Sequence, residues 1–154
     1  SSIHAARKVM GTADCFICEA DLYISDLSIF DAELSRSCYY GKMVPGFSDD
    51  WVFDWDGERI TRVGKEGTDR YNMVGVSYFK KADAAVIRDA IDAAYEKPGY
   101  EGLYWDEIVD RQLDKLNLDI HPVEKEQIVE IDSVAELAVI DESYREVLEK
   151  MQAE

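Results

Sequence analysis

The chain is short of positive charge. Its 17 lysines and arginines face 33 aspartates and glutamates, for a formal net charge of −16. Binding to nucleic acid or to an anionic membrane draws on cations that neutralise phosphates, so neither is expected as a partner. Long hydrophobic runs are also missing: nothing approaches the roughly 20 apolar residues of a membrane span, and no signal-peptide pattern is visible. Cysteine is scarce and odd in number, with Cys15, Cys18 and Cys38, which points to a reducing, cytoplasmic setting. Cys15 and Cys18 form a C-x-x-C, but no second such pair follows. In a strand, residues three apart face opposite sides, so a thiolate metal or redox site is not expected. His4 and His121 stand alone without a partner motif and read as structural. No Ser-His-Asp or Cys-His arrangement is present, and a nucleophilic hydrolase is not expected.

What is there is globular. The 154 residues are 47% apolar and 32% charged, enough for one domain with a real core. The chain opens Ser1-Ser2-Ile3 without Met and is expected to be a piece of a longer protein. Ser1 or Ser2 fits the cap of a short helix carrying Ile3, Ala6, Val9 and Met10. Residues 14–19 read as a buried strand, 28–35 as a short helix, and 37–43 and 51–56 as β-rich. Asp56-Gly57 predicts a hairpin turn into residues 59–63. Residues 72–79 read as a strand with Gly75 as a bulge. The second half turns helical. Val86, Ile87, Ala90, Ile91 and Ala94 carry helix spacing over 82–97, ended by Pro98-Gly99. A second helix is predicted over 103–116, and short strands over 118–123 and 128–131. Ser133-x-x-Glu136 is a capping box opening a last helix with Leu137, Ile140, Tyr144 and Leu148. The mixture is α/β with a central hairpin insertion.

Two stretches carry the chemistry. "CFICEADLYISD" (residues 15–26) runs an apolar strand into Glu19 and Asp21. "IVEIDSVAEL" (residues 128–137) runs another into Asp132, just before a helix. In open α/β sheets ligands gather at the carboxyl ends of strands, and two carboxylates there suit a hard cation such as Mg²⁺. The same residues also fit a plain role, Asp132 as a helix-capping residue and Asp21 in an Asx turn; spacing leaves both open.

"CEADLYIS", "MVGVSYF", "GLYWDEIV" and "VEIDSVAEL", in this order, resemble the bacterial CTP:phosphocholine cytidylyltransferases, of the sugar-nucleotidyltransferase-like superfamily. The resemblance spans nearly the whole chain. It implies a Rossmann-like nucleotidyltransferase fold with a mixed sheet and a β-hairpin insertion. It implies Mg²⁺-assisted transfer of a cytidylyl group from CTP to phosphocholine, giving CDP-choline and pyrophosphate. The family's metal-binding pair falls on Asp21 and Asp132. Its glycine-rich nucleotide loop has no counterpart here, because the likeness starts just upstream of Asp21. The N-terminal strands are therefore expected to be missing, residues 1–154 to be the C-terminal two-thirds of one domain, and this stretch alone to be inactive.

For the acceptor, a quaternary ammonium is best held by aromatic faces with a carboxylate nearby. The likeness favours Trp51, Tyr104, Trp105 and Asp106, and Tyr23 lies close enough to Asp21 to line the same cleft. Trp51, Phe53 and Trp55 share a strand face and fit a core role equally; Trp55, beside the turn, is the weakest candidate. Asp49 and Asp50 fit a solvated loop better than a cation site, and Glu19 either orders metal-bound water or makes a structural hydrogen bond. Two alternatives stay open. One keeps the chemistry but takes 2-aminoethylphosphonate or another small amino-phospho acceptor. The other is a non-catalytic half-domain whose exposed sheet edge pairs with a second copy or with the missing segment.

Overall fold

The computed structural model describes residues 2–152, so the capping role considered for Ser1 lies outside it. A four-stranded mixed sheet has the order β1-β4-β3-β5. Its strands are β1 (Cys15–Cys18), β3 (Cys38–Trp55), β4 (Ile60–Phe79) and β5 (Asp119–Pro122). β5 runs parallel to β3, and the other pairs are antiparallel. β2 (Leu22–Ile24) and β6 (Ile128–Glu130) form a separate antiparallel ribbon. The α-helices among the described residues are α1 (Ser2–Ala5), α2 (Lys81–Tyr95), α3 (Trp105–Asp110), α4 (Val134–Ile140) and α5 (Arg145–Gln152).

Alternation along β3 splits the core in two. Tyr39 faces a cluster with Phe53, Phe79, Ile87, Ile91, Val109 and Leu118, on the side of α2 and α3. Its neighbours Cys38 and Tyr40 face the other side, with Ile29, Val76, Val123 and Ile128. Successive strand residues point to opposite faces, so "CYY" serves both halves. α2 forms where its spacing predicts: Ala84, Ile87 and Ile91 are fully buried against the sheet. Its start is fixed from a distance, by the Asp14 carboxylate accepting from Lys81 N (2.8 Å) and the Ser37 hydroxyl accepting from Lys80 N (2.8 Å).

Several local expectations are corrected. The strand at 14–19 is shorter and not buried: it is the sheet edge, with Cys15 and Ile17 half-buried and Phe16 and Cys18 exposed. The segments 37–43 and 51–56 are one strand of 18 residues, and 59–63 and 72–79 belong to one of 20. The polar stretch between them extends as a ribbon because its backbone pairs across the hairpin. Tyr71 and Asn72 pair with Met43 and Lys42 on one side and with Phe53 and Val52 on the other. The helix at 28–35 is a single 3-10 turn, Leu27–Phe30, capped by Asp26. The helix at 103–116 is only Trp105–Asp110, followed by turns. The last helix breaks at Asp141, whose extended backbone and carboxylate cap start a new turn. The Asp56-Gly57 turn and the Ser133–Glu136 capping box form as expected.

Candidate active site

The two acidic stretches meet. β2 pairs with β6 so that Leu22 lies opposite Glu130, and Ile131 N donates to the Asp21 carbonyl at 2.8 Å. One carboxylate oxygen from each of Glu19, Asp21 and Glu130 lies within 4.8 Å of the others. Asp132 follows two residues after Glu130 and is not a member of that group; its backbone N–H is taken by Glu136 at 2.8 Å. The sequence reading missed Glu130. The only signal for it was its alternation with Asp132 along an extended stretch, which puts both on one side of the chain.

Gly75 makes this approach possible. Its φ is +74°, and a Cβ there would lie 2.8 Å from a Glu19 carboxylate oxygen and 3.0 Å from the Leu22 side chain. Its carbonyl also accepts from Glu19 N at 2.9 Å, so the bulge in β4 docks the end of β1. The electrostatics show a deficit of positive charge. Partial burial, then the charges of Asp21 and Asp50, push the Glu19 carboxyl above its ordinary pKa. Glu130 rises for the same reasons, with Asp132 the largest charge contribution after burial. Within the Glu19, Asp21 and Glu130 group, two ionised carboxylates less than 4.8 Å apart repel by about 1 kcal/mol even in watery surroundings. Hard oxygen donors at this spacing fit a cation such as Mg²⁺.

A small cavity of ≈200 Å³ opens directly beside the acidic group. Glu19 and Glu130 belong to its wall, together with Asp50, Asp106, Trp51, Tyr104 and Trp105. Four of the five acceptor residues expected from sequence are thus brought together. Tyr23 is not among the cavity-lining residues; it is an exposed residue of β2 opposite Val129. Trp55 is exposed beside the hairpin turn, away from this wall. Asp50, expected to be in a solvated loop, lines the cavity, and its carboxylate accepts from Trp51 N at 2.7 Å. The rings are held by different partners. Trp105 stacks on Tyr39 with centroids 6.1 Å apart, and Trp51 meets Tyr104 edge to face at 5.5 Å. α3 is tied to the hairpin by Asp110 accepting from Val63 N at 2.7 Å, which sets Tyr104 against Trp51.

Asp106 is the buried member, 3% exposed, and accepts from the Tyr39 hydroxyl at 2.9 Å. Burial raises its pKa to about 7; the Tyr39 hydrogen bond opposes this, and the Glu19 charge adds to it. An arriving cation would favour its ionised form.

His4 stacks on Tyr95 at 3.9 Å, and His121 packs on Tyr40 at 4.5 Å. Cys15 packs against the core while Cys18 is exposed, so the two thiols are split as strand geometry requires. No helix among the described residues is long and apolar enough to cross a membrane.

No family model matches the chain. It is 50% identical over 145 residues to a 2-aminoethylphosphonate cytidylyltransferase of Lancefieldella rimae, a match covering 94% of this chain and 59% of that protein. A choline-phosphate cytidylyltransferase of Streptococcus pneumoniae is 26% identical over 131 residues, covering 84% and 57%. Among solved structures, the CTP:phosphocholine cytidylyltransferase from Streptococcus pneumoniae superposes with a TM-score of 0.75 at 22% identity, covering 94% of this chain and 62% of that one. The chain spans a little under three fifths of the length of the curated relatives it matches. It has the Rossmann-like fold of the nucleotidyltransferases, and nearly all of its sequence is similar to cytidylyltransferases.

Proposed function

We propose that these residues are the C-terminal two-thirds of one nucleotidyltransferase domain, and that the whole protein is a Mg²⁺-dependent cytidylyltransferase. Its acceptor is 2-aminoethylphosphonate or a close primary-amine analogue. The observation that carries the acceptor is the mixed wall of the ≈200 Å³ cavity: Glu19, Asp50, Asp106 and Glu130 beside Trp51, Tyr104 and Trp105. A primary ammonium has three N–H donors and needs carboxylate acceptors. A quaternary ammonium has none and needs aromatic faces, yet Trp105 already lies against Tyr39. The 50% identity to a 2-aminoethylphosphonate cytidylyltransferase supports the same choice. Phosphocholine is the second reading, supported by the three aromatic residues and the more distant choline-phosphate relative.

In the reaction, an acceptor phosphonate oxygen attacks the α-phosphorus of CTP in line. A P–O bond forms to that oxygen, the α–β bridging P–O bond breaks, and pyrophosphate leaves. The nucleophile is already an anion, so no strong general base is needed. Glu19, Asp21 and Glu130, with Asp132 beside them, would hold Mg²⁺, which supplies charge neutralisation among the converging phosphates. Asp106 and Asp50 bind the ammonium end, and the aromatic residues orient the acceptor and exclude water. The remainder of the protein contributes the nucleotide loop and covers the β1 edge; this stretch alone is inactive.

The test is pyrophosphate release by the full-length protein from CTP and Mg²⁺ with 2-aminoethylphosphonate, phosphoethanolamine or phosphocholine. The expected order has 2-aminoethylphosphonate first in kcat/KM. A tenfold preference for phosphocholine would overturn the acceptor, and no turnover with any of the three would overturn the activity.

A further inference from the structure

Trp51 and Tyr104 line two cavities at once. One is the ≈200 Å³ pocket described above, and the other, of ≈620 Å³, adds Arg62, Lys65, Glu107 and Arg111. The ring pair is the partition between them. Its two members are held unequally: Trp51 is half-buried and packs against the core, while Tyr104 is 57% exposed. The Lys65 ammonium lies 5.8 Å from the Trp51 ring centroid and 5.4 Å from that of Tyr104. Lys65 lines the larger cavity and not the smaller one. Its place is fixed by the ribbon, where Lys65 and Trp51 are cross-strand partners, which puts the two side chains on one face.

We infer that Lys65 is a latch that determines acceptor specificity. By bridging both rings with its charge, it keeps the partition closed and limits the pocket to small head groups bound through carboxylates. This rests on the acceptor reading given above. With the latch removed, Tyr104 is free to swing toward solvent, and the pocket joins the larger cavity. Room for three N-methyl groups appears, and ring faces that Lys65 engaged become available to a quaternary ammonium. A primary ammonium gains little, because Asp50 and Asp106 still receive its hydrogen bonds. Lys65 touches neither CTP nor the reacting atoms in this scheme; it is a positioning residue acting through Trp51 and Tyr104.

The test compares full-length protein with Lys65→Met, which keeps an unbranched side chain without charge, and Lys65→Arg, which keeps charge and ring stacking. The ratio of kcat/KM for phosphocholine to that for 2-aminoethylphosphonate is expected to rise about fivefold in Lys65→Met, the scale of one or two exposed cation–π contacts. It is expected to stay near the parent value in Lys65→Arg, with KM for CTP unmoved in both. An unchanged ratio in Lys65→Met, an equal shift in Lys65→Arg, or an equal loss for both acceptors would overturn the latch. A second measurement needs no turnover. In a Trp55→Phe background, quenching of tryptophan fluorescence by caesium ions should at least double in Lys65→Met, because a cation no longer guards the ring pair. Unchanged quenching would overturn the latch. Increased quenching in a protein that transfers no cytidylyl group would support the latch and count against the proposed function instead.

Discussion

Replacing Asp106 by Asn tests the electrostatics of the pocket through stability alone. The carboxyl is 3% exposed and its pKa stands at about 7, against an ordinary 3.8. A pKa raised on folding means that the folded state holds the proton more tightly than the unfolded one. Stability from this group is therefore full below about pH 4 and is lost as pH rises through 7. The whole swing is about 4 kcal/mol, from about three units at 1.36 kcal/mol each. Between pH 5 and pH 8 the share of that loss is about 2–3 kcal/mol by the same linkage. Asn keeps an oxygen to accept from the Tyr39 hydroxyl, now at 2.9 Å, and cannot ionise. Its stability should lack this part of the decline. Urea or thermal unfolding followed by circular dichroism at both pH values isolates the effect, because every other carboxylate is common to the two proteins. The melting-temperature gap between variant and parent should widen by about 5–10 °C from pH 5 to pH 8. Parallel losses in the two proteins would refute the claim that burial holds this carboxyl protonated.

Other outcomes follow from the same geometry. Glu130→Gln and Asp21→Ala should each lower cytidylyl transfer by 100-fold or more with unfolding midpoints at least as high as the parent's, since each relieves carboxylate repulsion; near-normal turnover in both would remove the metal assignment. Gly75→Ala should destabilise the fold by about 1–3 kcal/mol in urea unfolding, from its left-handed φ and the forced displacement of Glu19, and a neutral result would show that the bulge relaxes freely. Tyr104→Ala should raise KM for the acceptor and leave KM for CTP in place, whereas equal changes in both would remove Tyr104 from the acceptor pocket. Ile87→Ala should lower unfolding free energy by about 2–5 kcal/mol, as expected for a fully buried residue between α2 and the sheet.

Much of this was legible wherever a short-range signal decided the outcome. Val86, Ile87, Ala90, Ile91 and Ala94 repeat at helix spacing, and of these Ile87 and Ile91 are fully buried while the others pack partly buried against the same core. Asp56-Gly57 makes its turn because the Asp56 carboxylate caps the two N–H groups that follow at 58 and 59. Ser133 and Glu136 reach each other across one helical turn. The strands were harder. Asp49 and Asp50 read as a solvated loop, yet the stretch between Met43 and Trp51 extends within β3, because Val44, Phe47 and Ser48 pair with Arg70, Thr68 and Gly67 while the residues between them fall at shifts in that register. The exposure of β1 was misjudged for a related reason: an apolar "CFIC" does not tell an edge strand from a central one.

The chemistry available was already present in the order of residues: an acidic chain, two strand ends carrying carboxylates, and aromatic residues grouped at 51–55 and 104–105. That order also sets the elements whose hydrogen bonds and apolar faces close within about four residues. Which carboxylates meet depends on how distant strands pair. Glu130 joins Glu19 and Asp21 because β6 pairs with β2 across more than a hundred residues, and because a glycine bulge in β4 admits the Glu19 side chain. The packed fold likewise buries Asp106 and sets Lys65 facing Trp51 and Tyr104. Burial and cross-strand neighbourhood belong to pairs of distant segments, and neither is written in the local pattern of one of them.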